Sequence, residues 1–432
     1  MERYVDVITM GCSKNLVDSE KLLYQLYRNG FHVFHNPKRI HHDIVVINTC
    51  GFINDAKEES INMILHLSEA RKVGRITKLY VMGCLSERFY KELNVEIPDI
   101  DKYYGKFNWK ELLKDLNKEY IQTESANRFV TTPSHYAYLK IAEGCNRGCA
   151  YCAIPIITGR YKSLAVEDVL KEVKSLVEKG VKEFQLVAQD LTYYGWDLYG
   201  KCCLTELIKR ISDVPGVEWI RLHYGYPNKF PYDLLPVIRE RENVCKYLDI
   251  ALQHSSNKIL ELMHRNTTRE YQINMIQRMR DEVPDICLRT TFMVGFPGEK
   301  NDDFEDLLEF TKEIRFDRMG AFAYSEEEGT YAEKNYEDEI PNEIKQERLS
   351  KLMSLQQSIS EELCQKKIGK IFKTIIDRRE GEYYIGRTQY DSPEVDGEVL
   401  IPVSKDRLYI GKFYNVLIEN ADEFDLRGVV IK

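Results

Sequence analysis

The sequence predicts an α/β chain in three parts. Residues 1–125 read as an N-terminal three-layer α/β domain with a parallel sheet, residues 133–364 as a central open (β/α)6 partial barrel, and residues 366–432 as an OB-like five-stranded β-barrel. Two strand–helix series and one change of texture predict this. Strands alternating with helices build parallel sheets. Short β runs at close, even spacing build a small barrel.

In the first series, Tyr4-Val-Asp-Val-Ile-Thr-Met10 runs into Gly11-Cys12, Asp43-Ile-Val-Val-Ile47 into Asn48-Thr49-Cys50-Gly51, and Lys78-Leu-Tyr-Val-Met82 into Gly83-Cys84. Helical patterns follow, for example Asp18 to Tyr27 and Asn54 to Ala70. Ligands of a parallel sheet gather at the carboxyl edge of its strands, so three cysteines just past strand ends are expected to converge. Gaps of 38 and 34 residues in sequence do not prevent this. Three separate buried thiols are the alternative, since free cysteine is commonly buried.

The second series supplies six β/α units. Tyr138-Leu-Lys-Ile-Ala142 comes first, then Glu183–Ala188, Glu218–Leu222, Tyr247–Leu252, Leu288–Val294 and Met319–Tyr324. Polar or glycine-rich residues stand past the strand ends: Gln189-Asp190, Tyr224, Gln253-His254 and Gly295-Phe296-Pro297-Gly298-Glu299. Active sites of β/α barrels form at that edge. The glycine run can bring its backbone to a ligand or be a plain turn. A single histidine such as His254 is more often structural than catalytic.

Past the first of these strands lies Cys145-Asn-Arg-Gly-Cys149-Ala-Tyr-Cys152, a C-x-x-x-C-x-x-C box. Three thiolates on so short a loop can hold three corners of an iron–sulfur cubane and leave its fourth iron open. Zinc is the alternative, but a structural zinc is closed by four ligands, and no second C-x-x-C or histidine pair lies nearby.

A helical pattern from Asn342 to Lys367 links the barrel to the last part, where β runs start at Ile371, Tyr383, Glu398, Tyr414 and Leu426. From Asp377 to Lys432 there are eight Lys/Arg and twelve Asp/Glu. That acidic balance argues against a general grip on nucleic acid and for a basic protein partner. Acids near Asp391, Glu394 and Asp396 are expected to contribute to its docking.

Composition sets broad limits. With 432 residues, 43% hydrophobic and 30% charged, the chain has the make-up of a globular protein with several cores. No apolar run is long enough to span a bilayer, and Met1-Glu2-Arg3-Tyr4 opens into a strand pattern, so no signal peptide is expected. Eleven cysteines then suggest reduced thiols in a cytoplasmic setting. Cys202, Cys203, Cys245, Cys287 and Cys364 show no functional placement.

The box, with aromatic Tyr151 before its last cysteine, resembles the signature of the radical S-adenosylmethionine (SAM) enzymes. Both cysteine sets and the final barrel together resemble, over nearly the whole chain, the methylthiotransferases of that superfamily, whose last domain is called TRAM. The resemblance implies two [4Fe-4S] clusters, an auxiliary one on Cys12, Cys50 and Cys84 and a SAM-cleaving one on Cys145, Cys149 and Cys152. It places Gln189, Gln253, His254, Gly295, Pro297 and Gly298 near SAM. It further implies that one SAM donates a methyl group and a second yields a 5′-deoxyadenosyl radical, with outside sources of electrons and sulfur.

Two branches of that family differ in substrate. One modifies isopentenylated adenosine in tRNA; the other modifies an aspartate of the twelfth small-subunit ribosomal protein, converting a β-carbon C–H to C–S–CH3. Gly11-Cys-Ser-Lys14-Asn-Leu-Val-Asp-Ser-Glu20, Tyr224-Gly-Tyr226-Pro227 and Asp391-Ser-Pro-Glu-Val-Asp-Gly397 resemble the ribosomal-protein branch. The tRNA branch typically reads G-C-Q-M-N and S-H-P at the first two places. The tRNA enzyme and a non-catalytic iron–sulfur scaffold are the competing readings.

Overall fold

The computed structural model describes residues 3–41, 43–403 and 407–431; Met1, Glu2 and Lys432 of the terminal readings lie outside them. The first sheet contains β1 (Tyr4–Thr9), β2 (His32–His35), β3 (Ile44–Thr49), β4 (Lys78–Gly83) and β5 (Lys102–Tyr103). They run parallel in the order β2-β1-β3-β4-β5. β3 is buried along its whole length, as a strand covered on both faces must be. Helices Ser13–Arg28 and Asn54–Lys72 contain the helical stretches read from the sequence and extend past them.

The central sheet starts at β6 (Tyr136–Lys140), after which a small antiparallel pair, β7 (Ala142–Glu143) and β8 (Lys162–Ser163), brackets the cysteine box. β9 (Glu183–Val187), β10 (Trp219–Gly225), β11 (Val244–Ile250), β12 (Cys287–Val294) and β13 (Arg318–Ala323) complete it. The order is β13-β12-β11-β10-β9-β6, with every pairing parallel and the edges β6 and β13 left unjoined. This is the open (β/α)6 arrangement that the sequence predicts.

Helix Asn342–Gln365 leads to the last domain, where β14 (Ile371–Glu380), β15 (Tyr383–Thr388), β16 (Val399–Pro402), β17 (Phe413–Ala421) and β18 (Leu426–Val430) close into a five-stranded barrel. Its core contains Ile376, Val399, Ile401, Val416 and Ile418.

The two outer domains cover opposite ends of the central sheet. The first domain meets the carboxyl edge: Lys57 and Arg88 bind Glu327 at 2.9 and 2.7 Å, and Lys140 at the end of β6 pairs with Asp18. The final barrel meets the amino edge. His135, just before β6, binds Asp377 at 2.7 Å, while Glu183 at the start of β9 binds Arg387 at 2.8 Å and Arg221 at 3.1 Å.

This arrangement corrects one expectation. Asp391 binds Arg318 of β13 at 2.5 Å, and Asp396 binds Arg289 of β12 at 2.6 Å and accepts from Tyr247 Oη of β11 at 2.8 Å. Glu394 accepts from Tyr136 and Tyr138 of β6, both at 3.1 Å. The loop therefore reaches from one sheet edge to the other, and the carboxylates of Asp391 and Asp396 are buried in ion pairs instead of being presented to a partner, while Glu394, an exposed residue, is hydrogen-bonded to β6. Acidic composition reads as surface only while the arginines that neutralise it are out of view.

Candidate functional site

Three strand ends bring the first cysteine set together. Gly11 has φ +82°, and a Cβ there would lie 2.5 Å from Cys50 Cβ and 2.6 Å from its Sγ. A Cβ on Gly51 would lie 2.6 Å from the backbone nitrogen and Cα of Leu85, next to Cys84. Only residues without a Cβ let these turns approach so closely. Asn15, on the first helix, holds the turns in place: its amide donates to Met10 O at 3.2 Å and Thr49 O at 2.9 Å, and its oxygen faces Cys84 Sγ at 3.6 Å. The Ser60 hydroxyl accepts from Cys50 N and donates to Cys50 O, each at 3.0 Å. Asn15 and Ser60 lie inside ordinary amphipathic helices, and nothing local in the sequence singles them out.

Cys12 is open to solvent, while Cys50 and Cys84 are buried. Burial pushes the Cys84 thiol up to about 12 and raises Cys50 as well. Around Cys12 the crowding of protein atoms opposes ionisation too, but Lys14, the Asn15 backbone N–H and Lys106 together bring it below its ordinary value.

The second set lies on the loop between β7 and β8, and all three of its thiols are partly accessible. Cys152 N–H donates to Cys149 O at 3.1 Å, and Cys145 N–H to Gly159 O at 3.2 Å. Burial pushes the Cys145 thiol up to about 11 and raises Cys152, and Cys149 beside them raises both further. Thiols crowded in this way are stable as thiolates only beside positive charge, which a metal core supplies. Arg265 Nη1 stands 3.3 Å from Cys149 Sγ, while its Nη2 donates to Ala251 O. Arg147, inside the box, binds Asp190 at 2.6 Å. The Arg147 and Arg265 guanidiniums each lie 4.2 Å from the Tyr226 ring centroid.

The donor sets fit iron–sulfur clusters. Among the described residues, no three His, Cys, Asp or Glu side chains close around a single metal ion. A cubane gives each thiolate its own iron, so its ligands need not converge on one point. The segments that carry the two sets touch, because Cys84 packs against Ala153 and Ile157, one and five residues past Cys152. Between them lies a buried network in which Glu143 binds Lys106 at 3.1 Å and Lys140 at 2.8 Å and accepts from Gln189.

The remaining sequence-predicted residues gather past β11 and β12. Gln253, with φ +73°, bridges to β12, and its buried Oε1 has no hydrogen-bond partner, as suits a polar ligand. His254 is fully buried: Nδ1 accepts from Ser256 N–H at 3.0 Å, and Nε2 lies 3.4 Å from Glu299. Gly295 N–H donates to Glu299 Oε2 at 2.8 Å, Arg348 holds the other carboxylate oxygen at 2.7 Å, and Lys345 packs on Gly295. Much of the turn is thus tied to the linking helix. Pro297 is buried and Gly298 exposed, with its carbonyl accepting from Lys258 at 2.6 Å. The turn supports the box through Phe296, whose ring packs edge-on against Tyr151 at 6.3 Å.

Comparison with known proteins agrees with this architecture. Residues 139–311 match the Radical SAM superfamily, residues 4–105 the Uncharacterized protein family UPF0004, and residues 368–431 the TRAM domain. Among solved structures, the radical SAM methyltransferase TsrM from Kitasatospora setae resembles the chain with a TM-score of 0.56 at 13% identity. That match covers 75% of each chain and shows the fold alone. The ribosomal protein uS12 methylthiotransferase RimO of Parabacteroides distasonis is 60% identical over 99% of both chains. Its namesake from Phocaeicola vulgatus is 62% identical over the same shares, and that from Cytophaga hutchinsonii 50% identical over 99% of this chain and 98% of its own. On that likeness, full length and with both cysteine sets in place, the chain belongs to the ribosomal protein uS12 methylthiotransferase RimO family of the radical SAM superfamily.

Proposed function

We propose that this chain replaces a β-carbon C–H of an aspartate in ribosomal protein uS12 with a methylthio group, using SAM and two [4Fe-4S] clusters. The observation that carries this reading is the contact of Cys84 with Ala153 and Ile157, which brings the segment of one thiol set against that of the other. Cys145, Cys149 and Cys152 would hold the SAM-binding cluster, and Cys12, Cys50 and Cys84 the auxiliary one. When bound, these groups supply the electron and the hydrogen abstraction that no side chain can provide.

The chain's own residues position and shelter that chemistry. Arg265 offers a cation to Cys149, and Asn15 and Ser60 fix the loops that carry the auxiliary thiols. Gln189, Gln253, Gly295, Pro297 and Gly298 remain as SAM neighbours, with Gln189 Oε1 and Gln253 Oε1 both buried and free to accept a ligand hydrogen bond. His254 belongs with them, its buried Nε2 lying 3.4 Å from Glu299 without a hydrogen-bond partner. The first domain lies over the carboxyl edge, so a protein loop entering a cleft between the two domains would meet both thiol sets, which favours a reaction needing both at one carbon.

Mass spectrometry of uS12 after anaerobic incubation with the reconstituted enzyme, SAM, sulfide and a reductant tests the reading. A methylthio mass increment on one aspartate is expected, absent with Cys149→Ala and with Cys50→Ala. Cys149→Ala also stops 5′-deoxyadenosine formation, whereas Cys50→Ala retains part of it. Thiolation of isopentenylated tRNA with uS12 untouched would overturn the assignment.

A further inference from the structure

We propose that Lys14 is the anchor for the substrate carboxylate and the residue that makes this site choose an aspartate over its neutral amide. The inference rests on the reading above, in which an aspartate β-carbon enters the cleft.

Position is the first argument. Lys14 stands two residues after Cys12, and its ammonium lies 4.1 Å from the centroid of the Tyr224 ring. Tyr224 is in turn two residues before Tyr226, the ring held between Arg147 of the cysteine box and Arg265 beside Cys149. The Lys14–Tyr224 contact therefore links the surroundings of one thiol set to those of the other. The two residues also come from two of the segments by which the sequence resembles the ribosomal-protein branch.

Charge is the second argument. The neighbouring cations are already in use: Lys106 binds Glu143 at 3.1 Å, and Lys140 binds Glu143 at 2.8 Å together with Asp18. Among the described residues the Lys14 ammonium has no carboxylate partner and no hydrogen-bond acceptor. An aromatic face steadies a cation without neutralising it, so Lys14 keeps its charge and its three N–H donors for an incoming anion. A partly buried lysine without an acceptor suits a ligand that brings its own negative charge.

Backbone strain supports a fixed purpose for the partner. Tyr224 has φ +62° and is 37% exposed at the rim of β10. A non-glycine residue held in the left-handed region, with its ring turned toward solvent, marks a position that the surrounding structure imposes. The substrate chemistry then fits. The carboxylate carbon of aspartate is bonded directly to the β-carbon, so a grip on the carboxylate places the reacting carbon one bond away. An asparagine of the same shape offers no charge.

The test compares wild type, Lys14→Met and Lys14→Arg. Affinity for purified uS12 is measured by fluorescence anisotropy on anaerobically reconstituted enzyme, alongside iron content. The same is done for a uS12 variant carrying asparagine at the aspartate that mass spectrometry shows to be modified. Wild type is expected to prefer the aspartate form roughly tenfold, the scale of one charge-assisted hydrogen bond. Lys14→Met should bring the two forms within about twofold while retaining iron, and Lys14→Arg should keep most of the preference. A Lys14→Met enzyme that keeps the full preference overturns the anchor. So does one that loses iron and binds both forms equally poorly, since Lys14 would then serve the auxiliary thiols alone. Wild-type enzyme that leaves uS12 unmodified sinks the substrate reading instead, which keeps the two failures apart.

Discussion

Arg289 Nη1 lies 2.6 Å from Asp396 Oδ1, a carboxylate side chain only 1% exposed, and this contact joins the final barrel to the inside of the central sheet. Removing one partner of a buried pair leaves the other charge without compensation, at a cost of about 3–5 kcal/mol. Asp396→Asn is therefore expected to lower the urea midpoint strongly. The loss should change little with added salt, because a buried pair is poorly screened. A midpoint within experimental error of wild type would show that the pair contributes nothing.

Asp391 and Asp249 give stability opposite dependences on pH. Burial opposes ionisation of Asp391, but Arg318 at 2.5 Å outweighs it and holds the carboxyl at about 2. A carboxyl lowered on folding contributes stability above its unfolded value of about 3.9 and loses it as pH falls through the folded value. Burial instead pushes Asp249 up to about 6, so its contribution becomes unfavourable as pH rises from about 4 through 6. In apo-protein denaturation series, Asp391→Asn should remove roughly 2 kcal/mol of the change between pH 4 and pH 2. Asp249→Asn should gain stability at pH 7 relative to pH 4. Unchanged slopes in both variants would count against these assignments.

Gly11→Ala tests the approach of the first two thiol loops. The added Cβ would fall 2.6 Å from Cys50 Sγ, at a φ of +82° that alanine rarely adopts. Reconstituted wild type is expected to hold about eight irons per chain, and Gly11→Ala about four, with the spectrum of the other cluster intact. Full iron in the variant would mean that the loops need not meet.

Arg265 stands 3.3 Å from Cys149 Sγ, and hydrogen bonds to cluster sulfurs raise the reduction potential. Arg265→Met should shift the potential of that cluster to a more negative value and, at a fixed donor potential, lower its reduced-to-oxidised ratio about tenfold for each 60 mV or so. Arg265→Lys should restore part of both. An electron paramagnetic resonance redox titration reads the shift directly, and equal potentials in all three proteins would refute the role.

The sequence by itself determined the elements and the two thiol sets, because those signals are local. Val45 and Val46 sit in a continuous apolar run that can only be a strand covered on both faces. Cys12, Cys50 and Cys84 follow three strand ends, and parallel pairing brings such ends to one edge. Tertiary structure decided what the charged residues do. Asp391 and Asp396 read as acidic surface until Arg318 and Arg289, from strands far away in the chain, are seen to neutralise them. Gly295 reads as a free turn until Glu299 and Lys345 are seen to engage it. Lys14 and Tyr224 carry no mark of each other in sequence, and only the docking of the first domain on the carboxyl edge sets the ammonium over the ring. Secondary structure follows from neighbouring residues and their hydrophobic period. A charge takes its role from whichever distant group folding places beside it.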